Sequence, residues 1–351
     1  METGVDEPCD RSLSLSCIGS RGQPPTLLYC ADDAPELSVF DMIPQGVLGK
    51  GSYGVAELWT HKPSGKNYCA KSVDVLSLTR ENDQAMAVQE LNLMRKLRHP
   101  HIVECRQAWA VMGQLALLLT YYPGGTLASR VCSTSGCIVA VDDMQRWICQ
   151  SLSALRFLHS SCVVHRDICP ENMFLSADHR DVFVGDFGVC RILESTSAMA
   201  QTPAGHLKYF SPEMIDGKPF SAKTDIYSFG IVLWQLLMLG APRALSSKME
   251  FDAKLQKLKD HLEAQGADFA GLQTVVTCCL QWRPKRRCSS SDACELPCVQ
   301  KWWPPELPAA LEGVEHKLYD RAVRHGAIVN AQGMEGAGHS DDDSVDSAEY
   351  D

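Results

Sequence analysis

The stretch that decides the fold is VVHRDICPENMFL at residues 163–175, followed by VFVGDFGVC at residues 182–190. The first places Asp167 and Asn172 in a short loop after an apolar helix, and the second places Asp186 just beyond an apolar strand. Each of these residues alone could belong to a turn, because Asp and Asn favour turns for local reasons. Together, two carboxylates and an amide at loop positions predict a site for Mg²⁺ and a substrate hydroxyl, as phosphoryl transfer requires.

A glycine-rich stretch lies upstream, at Gly49-Lys50-Gly51-Ser52-Tyr53-Gly54. Its GxGxxG pattern is a weak signal alone, since glycines also simply make turns. A dinucleotide-binding fold would need a helix straight after it, whereas here VAELWTH and NYCAKSVDV flank the turn signal Pro63-Ser64-Gly65, which predicts an antiparallel hairpin. We therefore expect a strand turn over phosphates, where backbone N–H groups approach the anion without a Cβ in the way.

A lysine and a glutamate form a candidate ion pair near this hairpin. Lys71 ends an apolar strand, where a surface amine is the ordinary expectation. Glu90 falls on the same helical stripe as Met94 and Leu97, so its carboxylate points toward the core, where an unpaired charge is costly. A pair between Lys71 and Glu90 would satisfy both groups and fix the amine for use on phosphate oxygens.

In this order the motifs resemble a eukaryotic protein kinase domain, the family whose phosphoryl-transfer chemistry assigns these roles to an aspartate, an asparagine and a lysine. The match runs from the glycine loop through Lys71 and Glu90 to HRD at 165–167, DFG at 186–188, and Ser211-Pro212-Glu213 in place of APE. Within that family the stretches ELNLMRKLRHPHIV, YYPGGTLAS and AQTPAG are most similar to the NIMA-related (NEK) serine/threonine kinases.

The resemblance implies an α+β fold with two lobes, a small β-rich N-lobe at 43–119 and a larger helical C-lobe at 123–303. The order of patterns along the chain, strand-rich and then helix-rich, is independently typical of an α+β arrangement. Residues 1–42 are expected to be a flexible extension with one docked turn at most. Residues 304–351 are expected to form a C-terminal extension with an acidic, disordered tail.

The resemblance also assigns roles, residue by residue, in an ATP-dependent serine/threonine kinase that uses ATP and Mg²⁺ on protein substrates. Asp225 would brace the catalytic loop, with a helix N-cap as the plainer alternative, and Arg287 would pair with Glu213. Leu119 would be the gatekeeper and residues 120–122 the hinge that contacts adenine. The catalytic residues would be Asp167, Lys71, Glu90 and Asn172, with Asn172 and Asp186 on the metal. The nucleotide would contact Leu48, Gly49, Lys50, Gly51, Ser52, Tyr53, Gly54, Ala56, Cys69, Lys71, Leu119, Thr120, Tyr122 and Phe174.

The chain departs from the kinase pattern at the catalytic loop and near the SPE motif. Cys169 stands where these kinases usually carry a phosphate-contacting Lys, and His206 replaces the usual Thr. Ala56 and Cys69 replace the usual Val and Ala above the adenine, a change small enough to be tolerated. The loss of one cationic contact lowers catalysis by roughly two to three powers of ten. The alternative is therefore a kinase-like scaffold, or pseudokinase, that binds nucleotide and transfers phosphate poorly.

Composition limits the partners and the compartment. The formal net charge is −10, and seven acidic residues with no Lys or Arg lie in residues 325–351, so the rest of the chain carries only −3. Without a basic cluster, we expect neither nucleic acid nor an anionic membrane as the main partner. The 16 cysteines lie mostly in apolar segments, which favours reduced thiols in a cytoplasmic, intracellular setting, with nuclear or cytoskeletal association also open. The oligomeric state is left open.

Two segments could carry regulatory phosphates. Thr202 stands where related kinases carry an activating phosphate, and a dianion near Arg166 could order that loop. An unmodified polar loop is the equal alternative. In the tail, Ser340 precedes three aspartates and resembles an acid-directed phosphorylation site, although a solvated, unmodified tail fits as well.

Overall fold

The computed structural model describes residues 25–31, 36–51, 54–75, 84, 88, 91–111, 114–133, 139–187, 207–238 and 247–307. Within these ranges strands predominate up to residue 120 and helices from residue 127 onward, which confirms the expected α+β class with two lobes. Several predicted features fall outside the described residues: the tip of the glycine loop at 52–53, Glu90, Gly188 of DFG, the segment that holds Thr202 and His206, and residues 1–24 and 308–351 of the two extensions, which include Ser340.

The first lobe is built on a six-stranded antiparallel sheet in the order β1-β5-β6-β4-β3-β2. The strands are β1 (Thr26–Cys30), β2 (Met42–Gly51), β3 (Gly54–His61), β4 (Asn67–Val73), β5 (Cys105–Val111) and β6 (Gln114–Thr120). The predicted hairpin is β3 and β4, which pair from Thr60 opposite Asn67. Gly65 has a φ of +67° in the turn between them, a conformation that glycine adopts without a steric cost.

Within the extension that the sequence predicted to be flexible, residues 26–30 and 36–42 instead contact the sheet. Strand β1 pairs with β5, and the segment that follows crosses the outer face of the sheet. There Leu37 and Met42 are buried against Tyr68, Trp109 and Leu118. The backbone N–H of Leu37 donates to Oε1 of the buried Gln107 at 3.1 Å. Apolar burial and a long-range strand pairing order this segment, and neither is visible in local sequence periodicity.

The second lobe is helical. Its helices are α1 (Leu127–Ser133), α2 (Val141–Ser160), α3 (Pro212–Ile215), α4 (Lys223–Met238), α5 (Lys248–Ala264), α6 (Ala270–Cys279), α7 (Ser290–Cys294) and α8 (Pro297–Trp302). Two short strands, β7 (Met173–Leu175) and β8 (Val182–Val184), form a separate hairpin. No helix in the described ranges is long and apolar enough to cross a membrane.

Helices α2 and α4 form the centre of this lobe. The apolar stripe of α2 is buried, from Met144 to Leu158. The helix begins at Val141, and no side chain caps it. Asp142 and Asp143 lie in its first turn, where their charges suit the positive end of the helix dipole. The apolar residues of α4 are buried in the core of this lobe.

Candidate active site

The loop after α2 holds the predicted catalytic residues close together. The side-chain Nδ2 of Asn172 donates to Oδ2 of Asp167 at 2.8 Å and to its carbonyl oxygen at 2.9 Å. Because both N–H groups of that amide serve Asp167, the amide oxygen of Asn172 is the atom left to bind a cation. The contact fixes the Asp167 carboxylate in one orientation. A carboxylate that receives a substrate hydroxyl needs such a fixed orientation.

Asp225, in the first turn of α4, holds this loop in place by hydrogen bonds to its backbone. Its carboxylate accepts the backbone N–H groups of His165 and Arg166, both at 2.8 Å, and Nε2 of His159 lies 2.9 Å away. Burial disfavours the charge, yet these hydrogen bonds and the His159 ring keep the pKa of Asp225 below its usual value. Arg166 has a φ of +70°, which is rare for a non-glycine residue, so the brace stabilises a strained turn at the site.

The DFG segment reaches the site from β8. Nε2 of His165 lies 3.1 Å from the carbonyl oxygen of Gly185, and the rings of His165 and Phe187 lie 5.1 Å apart. The backbone N–H of Gly185 donates to the carbonyl oxygen of Asn172 at 3.0 Å. Asp186 then turns outward with a φ of +61° and a side chain that is 48% exposed. Its carboxylate therefore faces the space between the lobes.

Lys71 meets that carboxylate from the first lobe. Its Nζ lies 3.0 Å from Oδ1 of Asp186, although the two residues are 115 positions apart. The sequence predicted Glu90 as the partner of Lys71, and Glu90 lies outside the described residues, so that pair stays a prediction. The contact with Asp186 was not predicted, because strand and loop patterns do not give the distance between lobes. Lysine, DFG aspartate and catalytic loop thus lie around one space.

The walls of this space come from strands and from the hinge. Ala56 lies opposite Lys71 in the sheet, and Cys69 lies opposite the gatekeeper position, Leu119. Burial is the main reason that the pKa of the Cys69 thiol is raised to about 11, so this thiol is neutral near pH 7. On the other lobe, a Cβ added to Gly185 would lie 3.0 Å from the ring of Phe174, which places that ring directly below the DFG segment.

The other residues predicted to contact the nucleotide differ in their exposure and in their contacts. Leu48 is 47% exposed on β2, and Gly49 and Lys50 are exposed beside it, as an uncovered glycine loop would be. Gly51 and Gly54 end β2 and begin β3, while Ser52 and Tyr53 lie outside the described residues. The ring of Tyr122 stacks on Phe183 at 4.1 Å, so its side chain supports the hinge from the C-lobe side. The contact of Thr120 and Tyr122 with adenine stays a prediction.

Cys169 does not act as a stand-in for the usual lysine. Its side chain is fully buried, and burial raises the pKa of the thiol far above the usual value, with the charges of Asp167 and Glu171 adding to the effect. A neutral, buried thiol supplies no positive charge to a phosphate. The sequence located this departure, whereas the inward direction of the side chain required the structure.

The oxygen atoms available at the site fit Mg²⁺. Asp186 offers an exposed carboxylate, and Asn172 offers the amide oxygen identified above. Mg²⁺ in proteins usually binds one or two carboxylates and takes its other ligands from water and substrate phosphates. In the described ranges no group of three or more His, Cys, Asp or Glu side chains could hold a metal ion by itself. A site completed by the phosphates of the nucleotide is consistent with both facts.

The predicted pair between Arg287 and Glu213 is formed and buried. Arg287 donates from Nη1 to Oε1 at 2.7 Å and from Nη2 to Oε2 at 3.1 Å, a two-bond arrangement. Burial opposes the Glu213 charge, but Arg287 more than offsets it and holds the pKa of Glu213 below its usual value. The pair anchors the SPE motif at the start of α3 to the loop before α7.

Comparison with known proteins gives a consistent result. The family described as "Protein kinase domain" matches residues 43–299. Among curated relatives, the serine/threonine-protein kinase Nek5 of Homo sapiens is 28% identical over 78% of this chain and 39% of its own length. Nek1 of Mus musculus is 32% identical over 55% of this chain and 16% of its own, and Nek6 of Oryza sativa subsp. japonica is 35% identical over 54% and 35%. The chain therefore spans well under half the length of these relatives, and the predicted resemblance to NEK kinases is confirmed.

Proposed function

Because this chain belongs to the protein kinase domain family, we propose that it transfers the γ-phosphate of ATP to serine or threonine hydroxyls of protein substrates. The observation that carries the proposal is the contact of Lys71 Nζ with Asp186 at 3.0 Å beside the contact of Asn172 with Asp167 at 2.8 Å. An amine, a metal-binding carboxylate and a hydroxyl-binding carboxylate then surround one nucleotide, which is what phosphoryl transfer demands. The serine/threonine specificity comes from the names of the relatives.

Each residue has a distinct part in the proposed reaction. Lys71 holds phosphate oxygens of the nucleotide, and Asp167 orients the substrate hydroxyl and accepts its proton. Asn172 and Asp186 would hold Mg²⁺, which supplies positive charge to the phosphates when bound. Asp225 keeps the loop in its strained conformation, so that Asp167 needs little rearrangement when substrate arrives.

The scaffold alternative rests on Cys169 alone. The relatives found are serine/threonine kinases by name, and no finding from the comparisons supports a catalytically inert protein. The residues that position nucleotide and hydroxyl are retained among those described. We therefore propose an active enzyme whose rate is lowered by the missing lysine.

A transfer assay tests the proposal. The purified chain is incubated with ATP, Mg²⁺ and a general protein substrate, and the phosphoamino acids are identified. Lys71→Met and Asp167→Asn should each reduce transfer to background while leaving the fold intact, and Lys66→Met, an exposed lysine before the same strand, is the matched control. Transfer at the wild-type rate by Lys71→Met would refute the assigned site. Normal nucleotide binding with no transfer by the wild-type chain would instead favour the scaffold.

The compartment and regulation are also proposals. The described cysteines are all free thiols, which supports a reducing, cytoplasmic location. Thr202 is the proposed activating phosphosite, because a dianion there could pair with basic groups of the catalytic loop. Phosphopeptide mapping of active protein tests this proposal, which would be refuted by an unphosphorylated Thr202 in fully active protein.

A further inference from the structure

The aromatic ring of Tyr29 joins the first strand to a helical segment of the first lobe. Residues 91–94 are helical, and Arg95 follows them directly. The guanidinium carbons of Arg95 and Arg98 lie 5.3 and 5.6 Å from the centre of the Tyr29 ring. A guanidinium within about 6 Å of a ring centre is attracted by the negative charge on the ring face. One side chain of β1 therefore contacts two cations at the end of this helical segment.

Strand β1 gives this ring a fixed support. Tyr29 lies opposite Ala108 of β5, and the backbone N–H of Ala31 donates to the carbonyl oxygen of Arg106 at 2.9 Å. Leu28 and Tyr29 also pack against the main hydrophobic core. The Oη atom of Tyr29 is buried and has no hydrogen-bond partner among the residues that the structure describes. The ring, and not the hydroxyl, is therefore the part of Tyr29 that holds the arginines.

Backbone hydrogen bonds tie the two arginines to the helical segment. The backbone N–H of Arg95 donates to the carbonyl oxygen of Leu91 at 3.0 Å. The backbone N–H of Leu97 donates to the carbonyl oxygen of Leu93 at 3.2 Å, and Nη1 of Arg98 donates to the carbonyl oxygen of Leu97 at 3.4 Å. Positive side chains at this end also suit the negative end of the helix dipole. Contacts that hold both arginines therefore hold the end of the segment.

The helical segment leads directly to the predicted partner of Lys71. Glu90 precedes Leu91 in the sequence and is expected on the same helical stripe as Met94. Leu91 and Met94 are buried in the same core as Val73. Val73 lies on β4, the strand that also carries Lys71. A displacement of the segment would therefore move the expected position of the Glu90 carboxylate relative to the lysine amine.

We propose that Tyr29 is a positioning residue for the nucleotide site, an inference that rests on the kinase function proposed above. Its ring holds the two arginines, these hold the helical segment, and the segment presents Glu90 to Lys71. The lysine amine is then directed to the phosphate oxygens of ATP. A molecule in which the segment shifts binds ATP weakly, so the apparent affinity falls with the fraction of molecules that keep the competent arrangement. Strand β1, which precedes the residues that match the kinase family, thus takes part in nucleotide binding.

Substitutions of Tyr29 in the full chain test this role. Tyr29→Leu keeps an apolar side chain and removes the aromatic ring, whereas Tyr29→Phe keeps the ring and removes the hydroxyl. Each cation–π contact at a partly exposed site corresponds to a factor of about two to five. Tyr29→Leu should therefore raise the KM for ATP by about fivefold or more, with little change in kcat at saturating ATP. Tyr29→Phe should keep the wild-type KM, as should Leu27→Ala, which changes an exposed residue of the same strand.

Amide hydrogen exchange provides a measurement that does not depend on phosphate transfer. In Tyr29→Leu the backbone N–H groups of Arg95 and Leu97 should exchange about fivefold faster or more than in wild type, because their hydrogen bonds open more often. Titration with a fluorescent ATP analogue should show the same loss of affinity as the KM. A wild-type chain that transferred no phosphate would refute the kinase function, whereas exchange and nucleotide titration would still decide the role of Tyr29.

The outcomes separate a positioning role from a packing role. Weaker ATP binding and faster exchange in Tyr29→Leu, with wild-type values in Tyr29→Phe, support the proposal. A lower thermal midpoint in Tyr29→Leu with unchanged ATP affinity and exchange overturns it, because the ring then serves packing alone. The proposal also fails if Tyr29→Phe behaves like Tyr29→Leu. Arg95→Met leaves β1 intact and removes one of the two cations, so it should also weaken ATP binding, and an unchanged affinity in that variant counts against the proposal even if Tyr29→Leu does not fold.

Discussion

Replacing Arg287 with methionine should destabilise this protein more than most single substitutions. Methionine has an uncharged side chain of similar length, so the change removes the buried guanidinium cation and its two hydrogen bonds to Glu213. It also removes donors to three backbone carbonyl groups, those of Lys223, Gln281 and Trp282. The Glu213 carboxylate would remain buried in the fold, with the Thr224 hydroxyl at 3.2 Å as a neutral partner.

The magnitude follows from the buried charge. Breaking a buried ion pair by removing one partner costs about 3–5 kcal/mol, because the other charge is left uncompensated. For a domain of this size each kcal/mol moves the thermal midpoint by roughly 2–4 °C. We therefore expect Arg287→Met to lower the midpoint by about 6–20 °C at pH 7. Arg283→Met removes an exposed arginine of the same loop and should change the midpoint by under about 2 °C.

The pH dependence of this cost provides a second check. The folded pKa of Glu213 lies below its usual value of 4.5, so the stability from its charge is complete well above pH 4.5. That stability is lost as the pH falls through the folded pKa, since protonation then removes the charge. The difference between wild type and Arg287→Met should accordingly shrink as the pH falls toward the folded pKa, because a protonated Glu213 no longer needs the arginine.

Urea or thermal unfolding followed by circular dichroism measures these differences. The double variant Arg287→Met with Glu213→Leu should recover at least about 2 kcal/mol relative to Arg287→Met, because no buried charge is left unpaired. If Arg287→Met changed stability by less than 1 kcal/mol, or if the double variant were as unstable as the single one, the account of an essential buried charge pair would be wrong.

Three further predictions concern the catalytic loop, a buried histidine and the hinge. Cys169→Lys should raise kcat by about tenfold or more in the ATP transfer assay, because the lysine stem is long enough to carry its amine out of the buried position of the thiol toward the phosphates. An unchanged rate would show that the missing charge is not limiting. Burial lowers the pKa of His99 to about 3, so the stability that comes from its neutral ring is complete above pH 6.5 and falls by about 1.4 kcal/mol per pH unit below it. In His99→Asn the free energy of unfolding should lose that dependence on pH between pH 6 and 4, and an unaltered slope would contradict this. Gly124→Ala should lower the free energy of unfolding by about 1–3 kcal/mol, because the added Cβ would overlap two backbone carbonyl oxygens. Gly46→Ala is the control, since no atom lies within 4 Å of a Cβ added there. Equal effects of the two substitutions would refute the steric explanation.

The catalytic segments could be predicted because their residues stand at fixed spacings in loops of known chemistry. Asp167 and Asn172 are five residues apart, and their contact at 2.8 Å follows from one short turn. The hairpin of β3 and β4 was equally predictable, since its turn residues and its alternation agree. Local pattern and final structure coincide in these places because the stabilising interactions are themselves local.

Contacts between distant segments that belong to no motif could not be predicted from the sequence alone. His159 reaches Asp225 across 66 positions, and its other ring nitrogen lies 3.0 Å from Oγ of Ser290. Neither His159 nor Ser290 belongs to a motif, and a histidine in the last turn of an apolar helix carries no sign of its partners. The inward side chain of Cys169 was unpredictable for a related reason, because spacing gives a residue's place in a loop and not the direction of its side chain.

Strand β1 has a practical consequence for work on shorter forms of this protein. The family match begins at residue 43, so a fragment cut at that boundary would lack β1 and the residues that shield the outer face. Strand β5 would then present an unpaired backbone edge, and Trp109 and Leu118 would be left bare to water. Such edges and patches promote self-association. A fragment that begins before residue 25 should remain monodisperse at concentrations where the shorter one precipitates.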